Sequence, residues 1–332
     1  MIAYIARRLL FGAILIFLST IVSFTIIKAS PGSAIVTDDP QVSQEYIEKM
    51  QRMYGYDQPA WKQYCNWLGA SHLFSAKSPP GLLQGNLGRS VKYNQSVAIV
   101  LPPYLKATLV LNLVSLLITW LVAVPLGTYA AARQYKWPDT LTTVFSFIGM
   151  SLPGFFLALL LLWLFASKVQ WLPPGGLRDQ LHHDQMTTAG QALDYLRHLI
   201  APVTVLTFGG LAGLQRVTRA NMVEMLGQQF VVTARAKGLS ESKVVLKHAL
   251  RNAINPLVTL LGFEFAGLFA GAALLEIVIS YPGMGQLLLE ALYTKDQELL
   301  MSIFLLGSLT LVIGNLVGEI LLAWVDPRIS HG

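Results

Sequence analysis

The sequence predicts an all-α integral membrane protein with six transmembrane helices, both termini cytoplasmic, and an ordered external segment between helices 1 and 2. Three observations predict it. Of the 332 residues, 54% are hydrophobic and only 13% are charged, against about 25% charged in soluble domains. Six apolar stretches approach the roughly 20 residues that a helix needs to cross hydrocarbon. Lys and Arg collect in alternate loops, as the positive-inside rule requires of cytoplasmic ones.

The first stretch, 9–27, has no charge and follows Arg7 and Arg8. Its length favours a retained helix over a cleaved signal, because "KASPGSA" is a weak cleavage site. The second, 107–132, is also uncharged. The third, 141–167, contains Pro153-Gly154. The fourth, 199–215, is short and glycine-rich. The fifth, 256–280, carries Glu264 and Glu276, and the sixth, 299–325, carries Glu319. Backbone groups in lipid must bond within their own segment, which requires helices or closed barrels. The alternation of a barrel strand is missing.

Orientation follows from the loops. Arg7 and Arg8, then Arg133 and Lys136, then seven cations of loop 216–255 lie on one side, the cytoplasm. Loop 281–298 sets Lys295 against Glu290, Asp296 and Glu298 on the other. The expected organisation is a cytoplasmic start and first helix (1–29), an external segment (30–106), a five-helix core (107–325) with loop 216–255 inside it, and a cytoplasmic end (326–332). Within the external segment "VSQEYIEKMQRMYG" reads as a short helix stopped by Gly55. "WLPPGG" in external loop 168–198 reads as a rigid turn. The net charge of +6 belongs to this loop asymmetry and calls for no nucleic acid.

Chemistry is sparse. No phosphate-cradling G-x-x-x-x-G-K-[ST] loop exists, and "PGMGQ" lacks the third glycine of a dinucleotide site. Adjacent His182 and His183 point to different faces, a poor metal clamp, so "LHHDQ" reads as a solvated loop with no metal. Cys65, the single cysteine, has no disulfide partner. Neither catalytic residue nor cofactor is expected. Glu264 and Glu276 are candidates for a translocation path, since an acid at membrane depth must face a cavity or a partner. On one helix, twelve residues apart, they would sit about 120° apart. An interhelical hydrogen bond is the plainer alternative. Gly267-x-x-x-Gly271, Gly314-x-x-x-Gly318 and Gly209, Gly210 and Gly213 would let helices approach closely.

One loop has a shape of its own. "MLGQQFVVTARAKG" reads as a helix closed by Gly238 in the left-handed position. Ser240 suits an N-cap, with Glu241 in the next first turn. Lys243, Lys247 and Arg251 then form one basic stripe, beside apolar strips of Val245 with Ala249 and Leu246 with Leu250. This helix–turn–helix elbow suits docking to a cytoplasmic partner. A basic loop touching anionic lipid is the alternative.

The stretch "TARAKGLSESKVVLKHALRNAINPLVTLLG", 233–262, resembles the cytoplasmic "EAA" loop of ABC-importer permeases, most strongly the dipeptide, oligopeptide and nickel group. The general pattern is E-A-A-x-x-x-G, then I-x-L-P. Gly238, Ala234 and Leu250 match it, while Val232, Thr233, His248 and Arg251 depart. "GNLGRS", "PLGTYAA", "LPGFFLALLLLWLF", "YPGMGQLLLEA" and the terminal "DPRI" are similar to the same group in order.

The resemblance implies an inner-membrane permease subunit of a bacterial importer, most simply for di- or oligopeptides. It would pair with a second homologous permease, two cytoplasmic ABC ATPase subunits carrying ATP and Mg, and an external solute-binding protein. Thr233, Ala234, Arg235, Ala236, Lys237, Gly238, Leu239, Ser240, Lys243 and Lys247 would form the ATPase-coupling loop. Nickel or another small solute is the alternative cargo. A secondary transporter, a channel or a membrane scaffold are the alternative classes.

Overall fold

The computed structural model describes residues 2–30, 44–74, 79–269 and 271–325. The terminal "DPRI" and parts of segment 30–106 lie outside them. Fourteen α-helices are found among the described residues, and one isolated bridge, Arg89 to Ser96, is the only β pairing there. The helices fall into two compact units, Met1–Lys106 with Met284–Leu309 and Ala107–Gly283 with Thr310–Gly332.

In the first unit α1 (Ile2–Ala29) is a long apolar helix. Its polar side chains find partners: Thr20 and Tyr64 share a hydrogen bond of 2.8 Å, and Ser19 and Ser308 one of 2.7 Å. Phe24 of α1, Trp67 of α3 (Ala60–Leu68) and Met301 of α14 (Gln297–Val325) pack as one buried cluster. Between α1 and α3, α2 (Gln44–Tyr54) stops at Gly55 as expected, with φ +71° and a 2.8 Å bond from Tyr56 N–H to the Gln51 carbonyl. The short α4 (Ala70–Phe74) follows. A second cluster joins Val97 and Leu101 at the start of α5 (Val97–Ala132) to Leu287 of α13 (Met284–Tyr293) and Leu299 of α14. The segment before α5 is tied down by charge. Ser90 and the Lys92 N–H donate to Asp296, and Lys92 Nζ reaches Glu290 at 2.5 Å.

In the second unit α6 (Trp137–Ser151) and α7 (Gly154–Leu161) are joined at Leu152-Pro153 and bend by 99°. Proline removes an N–H and disfavours helix in the residue before it. The third stretch is thus a bent pair rather than one straight rod. α7 continues as a π-helical stretch, Leu162–Lys168, and then reaches the "WLPPGG" turn. There Gly176 N–H bonds the Ile279 carbonyl at 2.8 Å, and a Cβ on Gly175 would strike that same oxygen.

The fourth stretch is much longer than its apolar run. α8 (Thr188–Leu226) has 39 residues, begun by Thr187 accepting from Gly190 N–H. Its polar ends hid it from an apolar-run count. Gly149 of α6 sits against Ala212 of α8, where a Cβ would come within 3.0 Å, and Asp139 pairs with Arg219 across the same helices.

The fifth stretch is not one helix. α11 (Leu250–Gly267) ends thirteen residues short of Ser280, and α12 (Ala273–Val278) is a separate piece. Among the described residues four single helices are long and apolar enough to cross a membrane, with the bent pair as a fifth candidate.

The close approaches match the expected ones in part: Gly318 and Gly210 do meet neighbours. Gly262 and Gly318 are the touching pair, a Cβ on Gly262 lying 2.6 Å from Gly318 Cα. Gly209, Gly213 and Gly267 have open space at that position, and of the α8 trio only Gly210 meets a neighbour, Thr119.

Candidate functional site

The elbow is the best-defined local structure in loop 216–255. Sequence suggested one helix ending at Gly238. The chain instead breaks at Gly227-Gln228, with Gln228 extended (ψ 152°), and α9 (Gln229–Ala236) starts afresh. Gly227 keeps right-handed angles (φ −82°), so the turn out of the helix is made at the extended Gln228.

The turn after α9 follows the expected chemistry. Gly238 has φ +74°, its N–H bonds the Arg235 carbonyl at 2.9 Å, and Leu239 N–H reaches the Ala234 carbonyl at 3.4 Å. These are the two bonds of a Schellman ending, which needs a left-handed residue and therefore favours glycine.

Ser240 does stand at the N-cap position of α10 (Glu241–Lys243), but its hydroxyl makes no capping bond. The turn is closed by a different device. Arg235 grips Glu241 with two bonds, Nε to Oε2 at 3.1 Å and Nη2 to Oε1 at 2.7 Å. That guanidinium holds the Glu241 carboxyl below its usual range despite slight burial. A bidentate pair of this kind fixes direction as well as distance. Arg235 is thereby engaged inside the elbow, and Lys237, Lys243 and Lys247 are left as exposed cations beside Arg251.

Val244–Ala249 is π-helical, closed by Leu250 N–H on the Val245 carbonyl five residues back. The i to i+5 spacing corrects the apolar strips read with a 3.6-residue period. Val244, Val245, Ala249 and Ala253 are buried together, whereas Leu246 is 60% exposed.

That buried set is the anchor of the elbow. It packs with Val231 and Ala234 of α9 onto Met222 of α8 and Ala131 at the end of α5. Three long helices, α5, α8 and α11, therefore meet under one face of the elbow. The opposite face presents Thr233, Ala236, Lys237, Leu239 and Ser240, all exposed.

The two candidate path acids sit on different helices, which overturns the one-helix angle between them. Glu264 of α11 is half-buried and accepts a 2.8 Å bond from Trp120 Nε1. Glu276 of α12 is 1% exposed, accepts from Ala272 N–H at 3.2 Å, and lies against Gly283. Glu276 thus shapes a turn within its own unit.

Comparison with known proteins bears on this arrangement. Residues 123–331 match the family model described as "Binding-protein-dependent transport system inner membrane component". Residues 1–112 match its companion N-terminal model. This chain belongs to that family. Its relatives include the oligopeptide transport system permease protein AppB of Bacillus subtilis, 35% identical across all of both chains. The dipeptide transport system permease protein DppB of Alkalihalophilus pseudofirmus is 32% identical, again across all of both. The glutathione transport system permease protein GsiC of Escherichia coli is 31% identical over the same full span. Among solved structures, a chain of the inward-facing MetNI methionine ABC transporter aligns with TM-score 0.53 and 18% identity. It covers 69% of this chain and 97% of that one. That likeness concerns fold.

As a member of this permease family the chain is a multi-pass membrane component of a binding-protein-dependent importer. Two of its polar sites escaped the sequence. Asp139 accepts from Arg219 Nη2 at 2.8 Å and from Tyr135 N–H at 2.9 Å, locking α6 to α8. Nothing in the local sequence pairs residues eighty apart. His183 is not a solvated loop residue: it is 4% exposed, and its Nδ1 lies 2.6 Å from Asp194, which also holds His198 at 3.1 Å. His182 remains exposed, as do Leu181, Asp184 and Gln185. The His183–Asp194 spacing of eleven residues crosses a turn, so neither helical nor strand periodicity marks it.

Proposed function

We propose that this permease is one of two homologous membrane subunits of an ATP-driven, binding-protein-dependent importer for di- or oligopeptides, and that the elbow around Gly238 receives the ATPase. One observation carries the proposal. The elbow is buried on one face against the ends of α5, α8 and α11 and bare and basic on the other. A body seated on the bare face would move three helices together. Coupling of this kind needs contacts that differ between two states of a rigid element. The Schellman turn, the Arg235–Glu241 clamp and the buried valines supply the rigidity.

In this reading six spans cross the bacterial inner membrane, with α11 and α12 together forming the fifth and both termini in the cytoplasm. Segment 30–106 and loop 168–198 lie outside, where a solute-binding protein delivers cargo. ATP and Mg belong to separate ATPase subunits docking near Thr233–Ser240, Lys243 and Lys247. Glu264, steadied by Trp120, faces the path between the two permeases. The peptide relatives favour peptide over nickel as cargo, and full-length agreement with permeases favours this class over a channel or a scaffold.

The test is reconstitution. The chain, its second permease, the ATPases and the binding protein are placed in vesicles, and ATP-dependent accumulation of a labelled dipeptide is measured. Uptake that needs every component supports the proposal. Ion-coupled uptake by this chain alone would overturn it.

A further inference from the structure

We propose that the first unit holds a site for the ammonium end of a small zwitterion, a short peptide or an amino acid, in the cavity between the α2–α3 segment and the first turn of α14. The cavity has a volume of about 440 Å³, within the range of small-ligand pockets. Arg52, Tyr56, Gln63, Trp67, Arg89 and Glu298 are in its wall.

Glu298 points to the ligand. Among the described residues no hydrogen bond falls on its carboxylate, and the opposite charge that acts on it is that of Lys28. Lys28 acts on it through charge while its ammonium is set over the rings of Tyr56 and Phe24, at 5.2 and 5.9 Å. The neighbouring acid, Asp296, is already taken by Ser90, by Lys92 N–H and by Leu299 N–H. The chain is shaped around the Glu298 carboxylate. Gly88 abuts it so closely that a Cβ there would lie 2.5 Å from Oε2.

The rest of the wall is also short of partners. Gln63 donates twice, to the Tyr56 and Gln58 carbonyls, yet its Oε1 accepts nothing. Trp67 Nε1 and Tyr56 Oη are buried without partners among the described residues as well. Native interiors leave few such groups unsatisfied. Three of them among the described residues around one cavity, beside a carboxylate that receives no hydrogen bond there, mark a ligand-shaped deficit.

The chemistry of that deficit is amphoteric. A primary ammonium pairs with Glu298, and aromatic rings beside it favour a cation. A carboxylate or carbonyl meets the exposed guanidiniums, where Arg89 spends one nitrogen on the Asn94 carbonyl and keeps others free. A hard metal ion would want several oxygen ligands where the wall has one carboxylate.

None of these residues belongs to the elbow or is Glu264. Binding is therefore read on the permease without ATPases or binding protein, and failure of this site is distinguishable from failure of ATP coupling.

The experiment is calorimetric titration of the full chain in lipid nanodiscs with alanyl-alanine, alanine and N-acetyl-alanyl-alanine. Saturable binding of either zwitterion is expected, and the tighter of the two identifies peptide or amino acid as the natural source. N-acetylation removes the ammonium and should weaken binding about tenfold or more, the worth of one charge-assisted hydrogen bond. Glu298→Gln should show the same loss, and Asp184→Asn, exposed on the second unit, none. No saturable binding of either zwitterion, or equal binding of the acetylated dipeptide, would overturn the proposal. The acetylation arm uses the unaltered protein, so it decides even if Glu298→Gln does not insert.

Discussion

Substituting Gly238 separates the strain of the elbow from its docking. A Cβ added there meets nothing within 4 Å, so the backbone angle of +74° is the whole local cost. For an ordinary residue the left-handed conformation costs about 1–2 kcal/mol. Asparagine tolerates that region better. About 1.4 kcal/mol is a factor of ten in an equilibrium, so strain alone caps the damage from Gly238→Ala at about thirtyfold. Gly238→Asn should stay within about threefold of wild type on the same reasoning. Gly238→Arg carries the alanine strain plus a long cation projecting from the bare face of the elbow. If that face receives the ATPase, its loss must exceed the alanine loss by well over tenfold. The assay is peptide-stimulated ATP hydrolysis by the reconstituted complex, with membrane insertion checked by quantitative blotting. Equal activity of the Arg and Ala variants would refute docking at Gly238, because strain would then account for everything.

Three further outcomes follow from packing and charge. Gly262→Ala should force α11 and α14 apart at the Gly318 contact and cost about 1–3 kcal/mol, seen as a lower melting temperature in detergent, whereas Gly267→Ala, which meets open space, should leave it unchanged. Asp139→Ala strands the Arg219 guanidinium between α6 and α8 and should cost about 3 kcal/mol, with an unchanged melting temperature counting against the pair. Burial favours protonated Glu290, but bonds from Lys92 and Tyr93 outweigh it and hold its carboxyl below the ordinary range. A depressed folded value stabilises above the unfolded pKa of about 4.3 and is lost as pH falls through the folded one. Acid melting below about pH 4 should therefore be steeper in wild type than in Lys92→Met; parallel curves would dismiss the clamp.

How much of this was legible depended on how local the cause was. The turn at Gly238 was readable because a left-handed glycine, its two backbone bonds and the apolar residues beneath it lie within a few positions. The stop at Gly55 was readable for the same reason. The π-helical stretch was not, since residue types alone do not choose between i+4 and i+5 bonds, and the misplacement of Leu246 followed from assuming a period of 3.6. Long apolar runs located α1, α5 and α14 well. They failed where polar turns are helical, as at both ends of α8, and where an apolar run is broken, as between Gly267 and Ala273. The Arg235–Glu241 clamp spans only six residues, yet it needs the turn to be folded before the pair can be seen. Asp139 with Arg219 and Asp194 with His183 depend on tertiary proximity, which one sequence does not carry.

The π-helical stretch beneath the elbow has a further consequence. A ring closed five residues back holds one residue more than an α-helical turn. Each residue of an α-helix contributes about 100° of rotation and 1.5 Å of rise. Deleting a single residue between 244 and 249 would therefore let the ladder close as ordinary α-helix while both flanks keep their faces. Elsewhere in a buried helix a deletion would turn everything beyond it by that angle and scramble its contacts. The stretch behaves as spare thread on a screw, and the number of residues separating Gly238 from α11 can change by one without re-cutting either end.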